Sequence, residues 1–288
     1  MRRIWRAALV IWLAVVSAAA APGPQRIVSL SPNTTEILYG IGAFDRVVGV
    51  TVYDKYPPAV SKLPRVGGWQ NSNIEKIVEL HPDLVVLTQA QVPFIADQLK
   101  AFGLKTAVAP SQSLADVFSA IQVLGAATGN EREAAELSRK TRATLDDVRA
   151  RTRGLAPRTV LLAVSRTPGA LRDLYVATQG SFLIDLVEIA GGRSVTEPGR
   201  NGYARISKEA IVALDPELIL DLLPGLTSPL GEDVKQAWSD LPELRAVRNG
   251  RVYAIHEEFV GHPSQFIAET AKVFARIIHP EAYSAGRP

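Results

Sequence analysis

Tyr53, Trp69, Tyr203 and Phe259 stand apart from the apolar runs of this 288-residue sequence, each in a polar stretch rich in Pro or Gly. Core packing accounts for aromatics at helix or strand periodicity, whereas aromatics in loops suit stacking against a large, flat ligand. Asn33, Gln70 and Gln89 fall in neighbouring loops and offer amide hydrogen bonds to polar groups at the rim of such a ligand. Arg166, Arg200 and Arg205 are cations that suit an anionic ligand, although exposed arginines are more often solvated surface. Catalytic patterns are missing: there is no G-x-S-x-G, Walker loop, G-x-G-x-x-G or H-E-x-x-H, and no cysteine. Of the four histidines, His81 and His279 each precede a proline at the end of a helical pattern, His256 ends a strand pattern, and His262 lies in a loop facing the expected cleft. Two histidines at one cleft are too few for a bare transition-metal site, which needs three or four converging ligands. A secreted hydrolase would need His262 with Glu257 or Glu258 as general acid or base, and neither a nucleophile nor a metal frame accompanies them. These residue types suit capture better than chemistry.

The elements that must position them occur twice. Residues 66–88, VGGWQNSNIEKIVELHPDLVVLT, return in weaker form at residues 203–220. Ile77, Val78, Leu80, Pro82 and Leu84 match Ile211, Val212, Leu214, Pro216 and Leu218, and the same offset sets Trp69 on Tyr203 and Glu75 on Glu209. Each copy reads aromatic, loop, helix, proline, strand. Asn73 and Ser207 are good N-caps, and the residues before Pro82 and Pro216 must leave the helical region. A carboxylate in a first helical turn favours the helix dipole wherever it occurs; an aromatic and a carboxylate repeated at one spacing point to two related lobes.

Along the chain, residues 26–31 read as a buried strand, and Asn33 with Glu36 three residues on has capping-box spacing for the next helix. A second strand at 46–51 makes strand, helix, strand, a parallel βαβ unit. A helix is expected at 94–102, a strand at 105–109 and a helix at 113–128. Residues 131–153 contain no Pro or Gly and carry Leu137, Thr141, Leu145, Val148 and Thr152 on one helical face. A helix of that length, about 30 Å, placed midway between two similar halves, reads as a stiff strut. The second half adds strands at 158–165, 174–177, 218–223 and 252–256, and helices at 182–189, 232–238 and 264–278. The fold class is therefore α/β: two Rossmann-like lobes with parallel sheets joined by one long rigid helix, divided as 1–21 leader, 22–129 first lobe, 130–154 linking helix and 155–288 second lobe. Loops beyond the carboxyl ends of parallel strands are where such sheets bind ligands, so the cleft is expected between the lobes.

Composition bounds the function further. A content of 47% apolar and 21% charged residues is globular. The formal charge of +3 includes Arg2, Arg3 and Arg6; subtracting these three from 32 Lys and Arg leaves 29, equal to the 29 Asp and Glu. A nucleic-acid partner has no electrostatic support. Residues 1–21 have a basic start, an apolar run over 7–16 and small residues with an A-x-A pattern, the marks of a signal peptide. Export to the periplasm of a monomeric protein is the expectation, without a disulfide and without a cysteine for a lipid anchor.

With RIVSLSPNTTEILYGIG, VVGVTVYDKYPP, WQNSNIEKIVELHPDLVV, GSFLIDLVEIAGG and ISKEAIVALDPELIL in view, the mature chain resembles the helical-strut class of periplasmic substrate-binding proteins of ABC importers, and its cobalamin-binding members in particular. The resemblance implies that Tyr53 and Trp69 line a corrin ring, and that Glu75 and Glu209 dock onto arginines of a homodimeric permease served by its ATPase. It implies no resident cofactor and no enzymatic activity. Tyr203 and Thr88 stand where cobalamin-binding members carry tryptophan, and the HEEFVGHPS segment differs from theirs in length and charge. Related binders take haem, for which Tyr53, Tyr203 or His262 are candidate iron ligands, or ferric siderophores, for which Arg166 and Arg205 are the candidate cations.

Overall fold

The computed structural model describes residues 23–222 and 234–284; the leader, and the outer ends of the strand expected at 218–223 and the helix expected at 232–238, lie outside them. Strands β1 (Ile27–Ser29), β2 (Val47–Gly49), β3 (Leu84–Thr88) and β4 (Thr106–Ala109) form the first sheet, with helices α1 (Pro32–Gly40), α2 (Ile74–Glu79), α3 (Val92–Ala101) and α4 (Leu114–Thr128). Helix α5 (Glu131–Thr152) follows. The second lobe holds β5 (Arg158–Ser165), β6 (Tyr175–Ala177), β7 (Gly192–Ser194), β8 (Tyr203–Arg205), β9 (Leu218–Leu222) and β10 (Val252–Ile255). Its helices are α6 (Phe182–Ile189), α7 (Lys208–Leu214), α8 (Val234–Trp238), α9 (Arg245–Arg248), α10 (Ile267–Ile278) and α11 (Glu281–Ser284).

The first sheet runs β2-β1-β3-β4 and is parallel throughout. The second contains the same arrangement, β7-β5-β9-β10, again all parallel. The duplication read from the sequence thus extends to strand order. Both β3 (LVVLT) and β9 (LILDL) are buried along their full length, as expected of parallel strands covered on both faces. A fully parallel second sheet was expected, and here the structure differs: β6 pairs antiparallel with the end of β5, and β8 antiparallel with β6. The cause is the loop after β5. Thr167 N–H donates to Arg172 O at 2.8 Å and Ala170 N–H to Thr167 O at 3.1 Å, turning the chain back within a few residues, where a parallel return needs a crossover of a dozen or more.

The repeated helices match in detail. Asn73 Oδ1 accepts from Lys76 N–H at 2.9 Å and Ser207 Oγ from Ala210 N–H at 3.2 Å, and the residues before the two prolines, His81 and Asp215, both adopt positive φ. Helix α1 starts differently from the expectation. Ser31 is the extended N-cap and Pro32 occupies N1, where its missing N–H costs nothing, so Asn33 lies inside the helix and Glu36 is released from any capping role.

Helix α5 spans 22 residues and buries Ala134, Ser138, Thr141, Leu145, Val148 and Thr152 on one face. It packs on α4 of the first lobe and on α6 and α10 of the second. One apolar cluster runs from Ile27 and Ile37 through Leu145 and Val148 to Val160 and Phe274, joining both sheets to the helix. The linking helix is therefore a shared wall of the core rather than an isolated rod.

Candidate functional site

Trp69 sits at the tip of a tight loop whose base is closed by Asn73 N–H donating to Val66 O at 2.7 Å. Gly67 at φ +105° allows the turn, and a Cβ there would meet Asn71 O at 2.7 Å. Gln91, fully buried, anchors the loop from below: its Nε2 donates to Trp69 O at 3.0 Å and to Leu30 O at 2.7 Å, while its Oε1 accepts from Thr88 N–H at 2.9 Å. One side chain thereby ties the ends of β1 and β3 to the aromatic loop. Phe94 packs against the indole with centroids 5.8 Å apart. The Tyr53 loop is held by Asp54, whose Oδ2 accepts from Thr51 N–H at 2.9 Å and from the Thr51 hydroxyl, and by Arg65, whose Nη1 donates to Thr51 O at 2.8 Å and Asp54 O at 3.0 Å. Fixed from beneath, Tyr53 remains 57% exposed.

These loops open on a cavity of about 510 Å³ whose wall includes Asn33, Tyr53, Trp69, Thr88 and His262. Asn33 is buried; its Oδ1 accepts from Ser31 Oγ, and its Nδ2 has no hydrogen-bond acceptor among the described residues. Phe259 lines an adjoining cavity with Tyr53 and His262. The remaining expected residues stand elsewhere. Gln70 and Gln89 are exposed and outside both walls. Tyr203 begins β8, paired with Ala177 and 36% exposed, and lines neither cavity; burial raises its pKa, against a lowering hydrogen bond with Ser181. Arg166 corrects the expectation of a ligand-facing cation. Its side chain is 1% exposed and its Nε donates to Asp221 Oδ2 at 2.7 Å, an oxygen that also takes Trp238 Nε1–H at 2.7 Å. The continuous apolar strands of the second sheet bury Asp221, and Arg166 folds inward to neutralise it. Arg205 pairs at the surface with Asp173 at 2.8 Å.

The hydrolase alternative would pair His262 with Glu257 or Glu258; its hydrogen-bond partner is instead Glu36 of α1. Glu36 Oε1 lies 2.7 Å from His262 Nδ1, Glu36 Oε2 accepts from Ser264 Oγ at 2.6 Å, and Gln265 Nε2 donates to Glu36 O at 2.8 Å. One residue of the first lobe therefore bonds to three residues within a four-residue stretch of the second, His262, Ser264 and Gln265. Burial acts to lower the His262 pKa, but the hydrogen bond to Glu36 and the charges of Glu36, Asp54 and Glu258 outweigh it and hold the imidazole above its ordinary value. Glu258 forms an ion pair with Lys55, also across the lobes. No pattern in the sequence marks Glu36 or Gln91 for these roles, because both contacts join segments distant along the chain.

Glu75 and Glu209 are exposed in the first turns of α2 and α7. The pKa of Glu209 is lowered by its own backbone N–H, by Ser207 and by Lys208, against a small opposing effect of burial. Among the described residues, no three or more His, Cys, Asp or Glu side chains gather as a metal site, and no helix is long and apolar enough to cross a membrane.

The family model for periplasmic binding proteins matches residues 27–259. The uncharacterized ABC transporter substrate-binding lipoprotein YvrC of Bacillus subtilis (strain 168) is 31% identical over 267 residues, covering 90% of this chain and 82% of its own. Among solved structures, the periplasmic vitamin B12 binding protein BtuF of Vibrio cholerae is similar with a TM-score of 0.76 at 25% identity, over 91% of this chain and 99% of its own. The periplasmic heme-binding protein RhuT from Roseiflexus sp. RS-1, in apo form, gives 0.78 at 25% identity, over 90% and 100%. Two duplicated α/β lobes, a packed linking helix and an aromatic cavity between the lobes agree with that match, and the chain belongs to the periplasmic binding protein family.

Proposed function

We propose that this protein captures cobalamin between its lobes and delivers it to an ABC importer. The observation that carries the reading is the pairing of charges in the main cavity. Tyr53 and Trp69 supply aromatic walls, while the charged side chains of the described wall are already matched, Lys55 with Glu258 and His262 with Glu36. Haem carboxylates or an anionic ferric chelate would require cations free to meet them. A corrin fringed with neutral amides requires aromatic faces and single hydrogen bonds, of which the Asn33 amide offers one. Glu75 and Glu209, exposed at matched positions of the two lobes, suit the two-fold axis of a homodimeric permease. Residues 1–21 would direct export to the periplasm.

Purified protein incubated separately with cyanocobalamin and haemin, followed by absorption spectroscopy and calorimetric titration, tests this function. Retained corrinoid colour with one-to-one binding supports it. A shifted Soret band without corrinoid binding transfers the assignment to haem, with His262 Nε2 the candidate iron ligand, and silence with both points to another metal chelate.

A further inference from the structure

The Trp69 loop is braced in two ways, and only one of them reaches the ring. Gln91, in the turn leading into α3, holds the Trp69 carbonyl, and Ser72 Oγ donates to Gly68 O at 3.0 Å. These bonds fix the loop backbone. They leave the two side-chain torsions of the indole free, and Gly67 and Gly68 before it carry no side chain that could pack on the ring. Phe94, one turn beyond Gln91 in the start of α3, supplies what the backbone bonds cannot. Its ring lies 5.8 Å from the indole at an interplanar angle of 58°, within the range of favourable ring pairs. Among the described residues it is the one aromatic ring packed on Trp69. Trp69 lines the main cavity, whereas Phe94 lines neither cavity and is 44% exposed, so it belongs neither to the ligand wall nor to the core. Its own place is set by a stiff helix start: Thr88 and Gln91 form a capping box, and Pro93 sits in the first turn.

We infer that Phe94 is a positioning residue for ligand capture: it holds the Trp69 indole in one orientation before a ligand arrives, without touching the ligand. A large ring on a loop that is unbraced must be ordered at the moment of binding, and ordering it then weakens affinity. Packing on Phe94 in the ligand-free protein removes that loss in advance. The role of Trp69 as a ligand wall is taken from the function proposed above. The ordering of its indole is a property of the free protein and can be measured without any ligand.

Acrylamide quenching and fluorescence anisotropy of the ligand-free full chain read the indole directly, as the part of the emission absent from Trp69→Ala; Trp238 is fully buried and shielded from the quencher. Phe94→Ala should raise the quenching and lower the anisotropy of that part, and Phe94→Tyr, which keeps the ring, should leave both as in the parent protein. Calorimetric titration with cyanocobalamin then compares the parent, Phe94→Ala, Phe94→Tyr, Trp69→Ala and the variant lacking both rings. Phe94→Ala should bind about three- to tenfold more weakly, the range of a ring pair, and Phe94→Tyr should bind as the parent does. In a Trp69→Ala background, Phe94→Ala should add no further loss, because it acts through the indole. Unchanged quenching and anisotropy in Phe94→Ala would overturn the inference. So would an equal loss of affinity in both backgrounds, which would place Phe94 against the ligand itself. If the parent does not bind cyanocobalamin, the corrinoid reading falls, and the ligand-free measurement alone decides the role of Phe94.

Discussion

Glu36→Gln is the most informative single substitution, because Glu36 is where the two lobes are bonded and where the ligand wall meets that bond. The carboxyl side chain is 4% exposed and accepts from Ser264 and His262, the latter 27% exposed. Glutamine preserves shape and one acceptor but loses the charge. Hydrogen bonds to charged groups contribute about 1.5–3 kcal/mol each, so removing roughly one of them should cost about 2 kcal/mol, a fall in Tm of about 4–8 °C. The loss must also depend on pH. The folded-state pKa of His262 is raised above 6.5, so the stability it contributes is fully present below that unfolded value and disappears as pH rises through the folded value. Urea midpoints of the parent protein and the variant should therefore differ most near pH ~6 and least near pH ~8.5. A difference that stays constant across this range would refute the assignment of His262 as the titrating partner of Glu36. No difference at any pH would refute the clamp itself.

Four further outcomes follow from named contacts. Trp69→Ala should weaken ligand binding by about 30-fold, the loss of roughly 2 kcal/mol typical of a central aromatic anchor, read by titration with the cobalamin proposed above. Gln91→Leu leaves Trp69 O, Leu30 O and Thr88 N–H without their partner, so stability should fall by about 1–3 kcal/mol in a denaturant melt, with weaker binding as the indole loop loosens. Arg166→Ala removes the cation paired with the buried Asp221 carboxylate and should cost about 3–5 kcal/mol while leaving ligand affinity in the folded fraction unchanged; a large affinity loss with intact stability would return Arg166 to the site. Reversing both Glu75 and Glu209 to Lys should abolish uptake in cells with affinity of the isolated protein retained, and a collapse of affinity would contradict a docking role.

Much of the architecture was legible because it rests on local rules. The limits of α5, β5 and α6 fall within a residue or so of the expected ones, since Gly and Pro punctuation and uninterrupted periodicity define them. The N-caps Asn73 and Ser207 could be read for the same reason: a cap bonds its own next turn. Helix α1 shows the limit of such rules, because Asn33 and Glu36 satisfy a capping spacing that Pro32 at N1 displaces by two residues. Strand β6 was expected at 174–177, but its antiparallel partner β8 was not, because pairing partners up to thirty residues apart leave no periodic trace.

The sequence by itself determined that two related α/β lobes exist, that a long helix lies between them, and that Tyr53 and Trp69 are free of the core. These follow from spacing, composition and repetition within short windows. Tertiary structure alone decided which polar residues became ligand wall and which became framework. Arg166 went inward because β9 buries Asp221, and Glu36 crossed to His262 because α1 packs beside the segment leading into α10. In both cases the deciding quantity is the cost of an unmatched buried charge, and its match lies 55 and 226 residues away along the chain, beyond the reach of any local pattern.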